Sequence, residues 1–299
     1  MNGQKENKKE IIIIGGGPGG ISAGIQLERY GLEPLLLEQR ELGGLLWNAN
    51  LVENYPGFPN GVRGEKLIEL MKKQIERIGV EMSREEVTHV AIEGREFVVV
   101  TDKAKRNAEI LIIASGTESN PLPEGIASDA RERVFTEVWP LRDVTSQRIV
   151  IVGAGDAAFD YALNLSKNRN YVTILNRGDS VKCLGVLFER ASNEQYISYR
   201  AEVAVREVKL SEDATRLEVR CEARGGEEVI EADFILFAIG RVPSLDFLSD
   251  EVRQRENELV ESGRLYFVGD VKNELYRQTA IAAGDGLRAA IQIYSRISK

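Results

Sequence analysis

Twice in 299 residues a run of four β-branched residues breaks at a glycine and leads straight into a helix-like stretch: IIIIGGGPGGIS at 11–22 and IVIVGAGDAAFD at 149–160. A buried strand that stops at such a turn and hands over to a helix opens a βαβ unit. In the first copy Gly15, Gly17 and Gly20 take the G-x-G-x-x-G positions. They serve, in order, a tight turn, contact between a pyrophosphate and bare backbone, and close packing of helix on strand. The helix start adds free N–H groups and a positive dipole end for phosphate oxygens. A helix-like run ending at Gly31 follows, and then LLLE. Glu38 thus closes the next strand about 20 residues past the turn, where a carboxylate accepts hydrogen bonds from ribose hydroxyls.

The second copy keeps Gly153 and Gly155, opens its helix with Asp156 and Ala157, and puts Ala158 at the third glycine position, which the pattern tolerates. Its next strand, YVTILN, ends in Asn176-Arg177 instead of a carboxylate. A guanidinium there suits a 2′-phosphate and favours NADPH over NADH, although an ordinary surface charge reads the same way. Two such turns predict an α/β chain with two Rossmann-like domains and two dinucleotides.

Composition narrows the field by exclusion. The formal net charge of -8 argues against a nucleic-acid binder, which needs a basic surface. No apolar run approaches the roughly 18 residues of a membrane span. The charged start MNGQKENKKE runs through four isoleucines into glycines with no signal-peptide core, so the cytoplasm is the expected compartment. The single histidine, His89, lies in the strand-like VTHVAIEGREFVVV and reads as a solvated strand residue, which leaves little room for a Ser-His-Asp triad or a multi-histidine metal site. Cys183 and Cys221 match neither a zinc clamp nor a Cys-x-x-Cys pair and read as small apolar packers, so no metal is expected.

Near the C-terminus GRLYFVGDV (263–271) reads as a strand ending at Gly269-Asp270, and YRQTAIAAGDGLRAAIQIYS begins a helix near Thr279. With these segments the chain resembles the low-molecular-weight thioredoxin reductases and their relatives over nearly its whole length. The resemblance implies three-layer, ββα-type domains. It places Gly15, Gly17, Pro18, Gly20 and Glu38 on the pyrophosphate and ribose of FAD. LGGLLWNANLVENYPGFP (42–59) is similar to the family's Gly-Gly-x-Leu … Glu-Asn-x-Pro-Gly-Phe segment, which puts Gly43, Gly44 and Asn54 beside FAD. Val87 falls where the family's backbone meets the adenine. ILIIASGT (110–117) and ILFAIGRVP (235–243) resemble the strand ends that mark crossings between domains, with Gly116 on the FAD side and Gly240 on the nicotinamide side. Gly269 and Asp270 would hold the ribityl chain, and Gln278, Thr279 and Ala280 would approach the flavin ring. A helix starting there points its positive end at the ring's pyrimidine edge. Gly153, Gly155, Asp156, Ala157 and Arg177 match the NAD(P)H site.

Two departures shape the functional expectation. The family's Cys-x-x-Cys aligns with Thr136-Glu137-Val138-Trp139, so Thr136 and Trp139 stand where the cysteines would be. Hydride transfer to a flavin needs stacking and alignment only, but dithiol–disulfide exchange on this chain is ruled out. In NRGDSVK (176–182) only Arg177 remains of the family's His-Arg-Arg, with Lys182 as a substitute for a later arginine. The expected layout is an FAD domain split over 1–117 and 244–299 around a nicotinamide domain at 118–243. The expected function is transfer of electrons from NADPH or NADH through FAD to ferredoxin, flavodoxin or a small molecule, with no residue acting as a chemical catalyst and a homodimer implied by the resemblance. Two alternatives stand beside it: a non-enzymatic FAD-binding redox sensor or scaffold, and a thiol reductase that borrows a partner's cysteines and requires 136–139 to be exposed.

Overall fold

A computed structural model describes residues 8–298, with the side chains of Lys8 and Lys9 left out. The first seven residues of the charged start therefore lie outside it. The chain divides into two compact units. One comprises the described parts of Met1–Trp47, Val52–Glu118 and Val242–Lys299; the other comprises Asn48–Leu51 and Ser119–Arg241. The sequence reading kept 48–51 with the first domain, whereas the contacts of these four residues place them in the second unit.

In the first unit the strand Lys8–Ile14 runs parallel to Leu35–Glu38 on one side and Lys105–Ile113 on the other. Glu81–Arg84 extends the sheet beyond Leu35–Glu38. Lys105–Ile113 divides its free edge between Glu96–Thr101, paired antiparallel, and Leu265–Phe267, paired parallel. Parallel strands covered on both faces read as unbroken apolar runs, as Ile11–Ile14 and Leu111–Ile113 do. Alternation then separates the layers. Ile12 and Ile14 pack with Val90, Ile92, Phe97 and Val99 of the antiparallel hairpin, while Ile13 and Leu36 lie under Gly24 of the helix Pro18–Arg29. That helix starts with proline in its first turn, where the missing N–H costs nothing. Against it runs the C-terminal helix Thr279–Ile297, close enough that a Cβ on Gly286 would sit 2.0 Å from the Gly19 carbonyl oxygen. Only glycine permits that approach.

The second unit repeats the plan. Its parallel sheet has the order Ile197–Arg200, Tyr171–Leu175, Arg148–Val152, Phe234–Phe237, Val134–Phe135. Ile149, Ile151, Val172 and Ile174 face the helix Asp156–Ser166 through Phe159, Ala162 and Leu165. Val150, Leu175, Ile235 and Phe237 face the opposite layer, the antiparallel meander Val203–Leu210, Leu217–Ala223 and Gly226–Ala232. Each unit is thus three layers deep, with one residue in two sent to each side of the parallel sheet.

Candidate functional sites

In the first unit, Gly15 leaves the strand with φ +106 and gives its N–H to Leu37 O at 2.8 Å. A Cβ on Gly15 would sit 2.3 Å from Ala114 O, and one on Gly20 would sit 1.9 Å from Gly15 O. Both positions therefore exclude side chains. Gly17 differs: it is the residue before the helix, and a Cβ there would meet nothing within 4 Å. The turn is closed where helix must meet strand and open where a diphosphate would lie. Glu38 folds back on it, accepting from Gly16 N at 2.7 Å and Arg40 N at 2.8 Å. Each carboxylate oxygen keeps acceptor capacity for a ribose hydroxyl.

Gly43 donates to Gly16 O at 2.8 Å, and Gly44 lies against Gly17, so this second turn sits beside the first. From the other side, the helix Thr279–Ile297 brings Ala282 O to 3.2 Å from a Cβ built on Gly19, and Gly269 packs on Ala282. Asn54 Nδ2 donates to Gln278 Oε1 at 2.7 Å, which joins the 53–59 loop to the start of that helix, with Thr279 and Ala280 in its first turn. Asp270 follows Gly269 in the short 3-10 turn Gly269–Val271. The structure thus gathers Gly15, Gly17, Pro18, Gly20, Glu38, Gly43, Gly44, Gly269, Asp270 and the helix start. Gly116, with φ +68, lies two residues past Ala114 and accepts from Ser244 N at 3.1 Å. Val87 packs against the core cluster that includes Ile14 and Leu37, and two residues before it Glu85 N donates to Glu38 O at 3.0 Å.

Two groups here escaped the sequence reading. Asp285, nearly buried, accepts from Asn273 Nδ2 at 2.7 Å and Gly269 N at 3.3 Å and pairs with Lys272 Nζ at 3.2 Å, clamping the Gly269–Asn273 turn. Its signal in the sequence is a lone carboxylate among the small residues of AIAAGDG. Glu85 is bound by Arg106, by Thr101 Oγ1 at 2.6 Å and by Ser83 Oγ at 2.7 Å. Burial pushes its carboxyl up, but these hydrogen bonds outweigh burial and hold it near about 2. No local motif announces that network, because its members come from three strands.

The second unit builds the matching turn. Gly153, at φ +141, donates to Leu175 O at 2.9 Å, and a Cβ there would lie 2.4 Å from Ala238 O. Gly155 precedes the helix with nothing within 4 Å of its Cβ position, and Ala158 is fully buried under the turn. Asp156 Oδ1 accepts from Leu184 N at 2.8 Å, and Lys182 N donates to Ala154 O at 2.9 Å, so the 176–184 loop is fastened across the helix start beside Ala157. Arg177 is exposed and forms no ion pair among the described residues. Gly240, at φ +103, lies where a Cβ would meet Asn120 Nδ2 at 2.9 Å.

The 136–139 segment is held in place. Glu137 pairs with Arg241 at 3.3 Å, Trp139 N donates to Asn48 Oδ1 at 3.0 Å, and Arg142 lies over the Trp139 ring at 4.3 Å. Val138 is fully buried, and Thr136, Glu137 and Trp139 are half-buried. Nearby, Asp160 accepts from Asn50 N at 2.9 Å; burial raises its carboxyl to about 6. Of the two thiols, Cys183 is half-buried and Cys221 buried. Burial raises Cys183, and it raises Cys221, fully enclosed in the meander core, to about 11. His89 is exposed on its strand. No cluster of His, Cys, Asp and Glu able to hold a metal occurs among the described residues, and no helix there is long and apolar enough to cross a membrane.

Residues 9–286 match the family described as pyridine nucleotide-disulphide oxidoreductase. The thioredoxin reductase of Rickettsia conorii is 31% identical over 307 residues, covering 97% of this chain and 98% of its own. The thioredoxin reductase of Lactococcus lactis, solved in its FR conformation, superposes with a TM-score of 0.85 at 26% identity, over 97% of this chain and 99% of that one. The bacillithiol disulfide reductase Bdr of Staphylococcus aureus shares the fold at a TM-score of 0.76 and 21% identity, over 97% and 99% of the two chains.

Proposed function

The chain belongs to the pyridine nucleotide-disulphide oxidoreductase family, among its thioredoxin reductase-like members, and on that premise we propose that it is an FAD-dependent NAD(P)H oxidoreductase. Its acceptor, in this reading, is not a disulfide of its own chain. One observation carries the proposal: both glycine turns are open at the residue before the helix, Gly17 and Gly155, while the chain's two thiols belong to different core clusters, Cys221 buried and Cys183 half-buried. FAD, when bound, supplies a ring that accepts hydride from a nicotinamide and releases electrons singly or in pairs.

The residues divide the remaining work. Backbone N–H groups at the start of Pro18–Arg29 meet the FAD diphosphate, and Glu38 takes the adenosine ribose. Asp270 would hold the ribityl chain, and Gln278, Thr279 and Ala280 would border the ring, with the positive end of the helix Thr279–Ile297 toward it. In the second unit Gly155, Asp156 and Ala157 meet the nicotinamide dinucleotide, with Arg177 reaching for a 2′-phosphate. No side chain is assigned as acid or base, because the redox chemistry would be supplied by the bound cofactors. The acceptor is ferredoxin, flavodoxin or a small molecule. The 136–139 segment, half-buried and bonded to Asn48 and Arg241, speaks against docking of a partner's cysteines there.

The experiment is anaerobic titration of the flavin-loaded protein with NADPH and with NADH, then reoxidation against ferredoxin, flavodoxin, quinone, a low-molecular-weight disulfide and air. Rapid bleaching by NADPH with fast reoxidation by one acceptor supports the reading. A flavin that neither nucleotide bleaches identifies a sensor or scaffold instead.

A further inference from the structure

The loop that carries Arg177 is organised by one buried side chain. Asn176 is 8% exposed and stands just past the strand Tyr171–Leu175, where dinucleotide-binding units commonly present a ribose ligand. Its amide is not free to bind one. Nδ2 donates to Ser180 O and to the Tyr199 hydroxyl, both at 2.9 Å, and Oδ1 accepts from Gly178 N at 3.0 Å. Glu202 N donates to Gly178 O at 2.9 Å, fixing the same loop from the far side. Arg177 lies between the bonded residues, exposed and without an ion pair among the described residues. The neighbouring Arg200 is not equivalent, because Glu228 holds its guanidinium at 2.5 Å. A flexible arginine loses much of its gain in a phosphate contact to the cost of ordering it, and a pinned backbone lowers that cost.

We propose that Asn176 is a positioning residue for nucleotide choice: by bonding Gly178, Ser180 and Tyr199 it holds Arg177 ready for the 2′-phosphate and makes the second unit select NADPH over NADH. This rests on the nicotinamide reading of that unit. The contribution acts through Arg177, since both Nδ2 hydrogens of Asn176 are already given to Ser180 and Tyr199 and its Oδ1 is turned to Gly178 N.

Calorimetric titration of the flavin-loaded protein with 2′,5′-ADP and with ADP tests this without any redox step. Asn176→Ala is expected to weaken 2′,5′-ADP about tenfold, the loss of roughly one charge-assisted contact, and ADP less than about twofold. Asn176→Ala combined with Arg177→Ala should bind 2′,5′-ADP no more weakly than Arg177→Ala alone. Tyr199→Phe removes one of the three bonds and leaves the amide in place. It should give a smaller loss, about two- to threefold, again confined to 2′,5′-ADP, and it answers the question even where Asn176→Ala folds poorly. Wild-type affinity for 2′,5′-ADP in both variants, equal losses for the two ligands, or additive losses in the double variant would overturn the role of Asn176 and leave the NADPH reading standing. A wild-type protein that does not distinguish 2′,5′-ADP from ADP overturns both.

Discussion

Replacing Glu85 with glutamine leaves the shape of the side chain and removes its charge. The carboxylate is 3% exposed and its partner Arg106 is 12% exposed, so solvent hardly screens the pair. Arg106 also carries a buried Nε with no hydrogen-bond partner, which leaves it wholly dependent on Glu85 for compensation. Glu85 is displaced from 4.5 to about 2, and at 1.36 kcal/mol per pKa unit this corresponds to about 3 kcal/mol of stability at pH 7. That figure agrees with the roughly 3–5 kcal/mol typical of removing one member of a buried pair. Because the folded value is depressed, the contribution is whole above about pH 4.5 and drains away as the pH falls toward 2. Urea denaturation of the wild type and Glu85→Gln, followed by circular dichroism and flavin release, should show a gap of about 3 kcal/mol at pH 7 that shrinks to less than about half by pH 3. Replacing both partners with apolar residues, Glu85→Leu with Arg106→Met, should recover most of the loss. A gap under about 0.5 kcal/mol at pH 7, or one that stays constant with pH, would refute the reading of this network as a main support of the first unit.

Gly20→Ala should abolish flavin retention together with folding of the first unit, because its Cβ would lie 1.9 Å from Gly15 O; Gly17→Ala should keep the melting temperature of the flavin-free protein and lose FAD affinity, and equal behaviour of the two in thermal melts and FAD titration would count against the diphosphate lying at Gly17. Asp160→Asn should be more stable than wild type at pH 8 by about 1–3 kcal/mol. Its raised folded value, about 6 against 3.8, means that the native contribution is present below about pH 4 and lost as the pH rises through 6; melts at pH 5 and pH 8 with an unchanged slope would contradict this. Asp285→Asn should loosen the Gly269–Asn273 turn and weaken FAD binding about tenfold, read by FAD titration of the stripped protein, while the second unit's affinity for ADP stays unaltered.

Both glycine turns were legible in the linear order because their chemistry is local. Glycine is required where Gly15 meets Ala114 and where Gly153 meets Ala238, and the strand–turn–helix order that creates those approaches is written in consecutive residues. Glu38 was legible for the same reason, one strand further on. Asn54 with Gln278 came from family resemblance, and their contact spans 224 positions, which no local pattern encodes. Asp285 and Glu85 passed unnoticed because a buried carboxylate is recognised by its partners, and theirs arrive from other elements.

The strings IIIIGGG and IVIVGAG already commit this protein to two parallel-sheet layers and two glycine turns, since a β-branched run ending in glycine before a helix has few other stable outcomes. Long-range packing settled the rest. It assigned Asn48–Leu51 to the second unit, drew Asn176 into a closed set of hydrogen bonds, and aligned Gly286 with the Gly19 carbonyl. Those outcomes depend on burial and on partners distant in the chain, and a polar side chain or a glycine acquires its role only when the elements around it have closed.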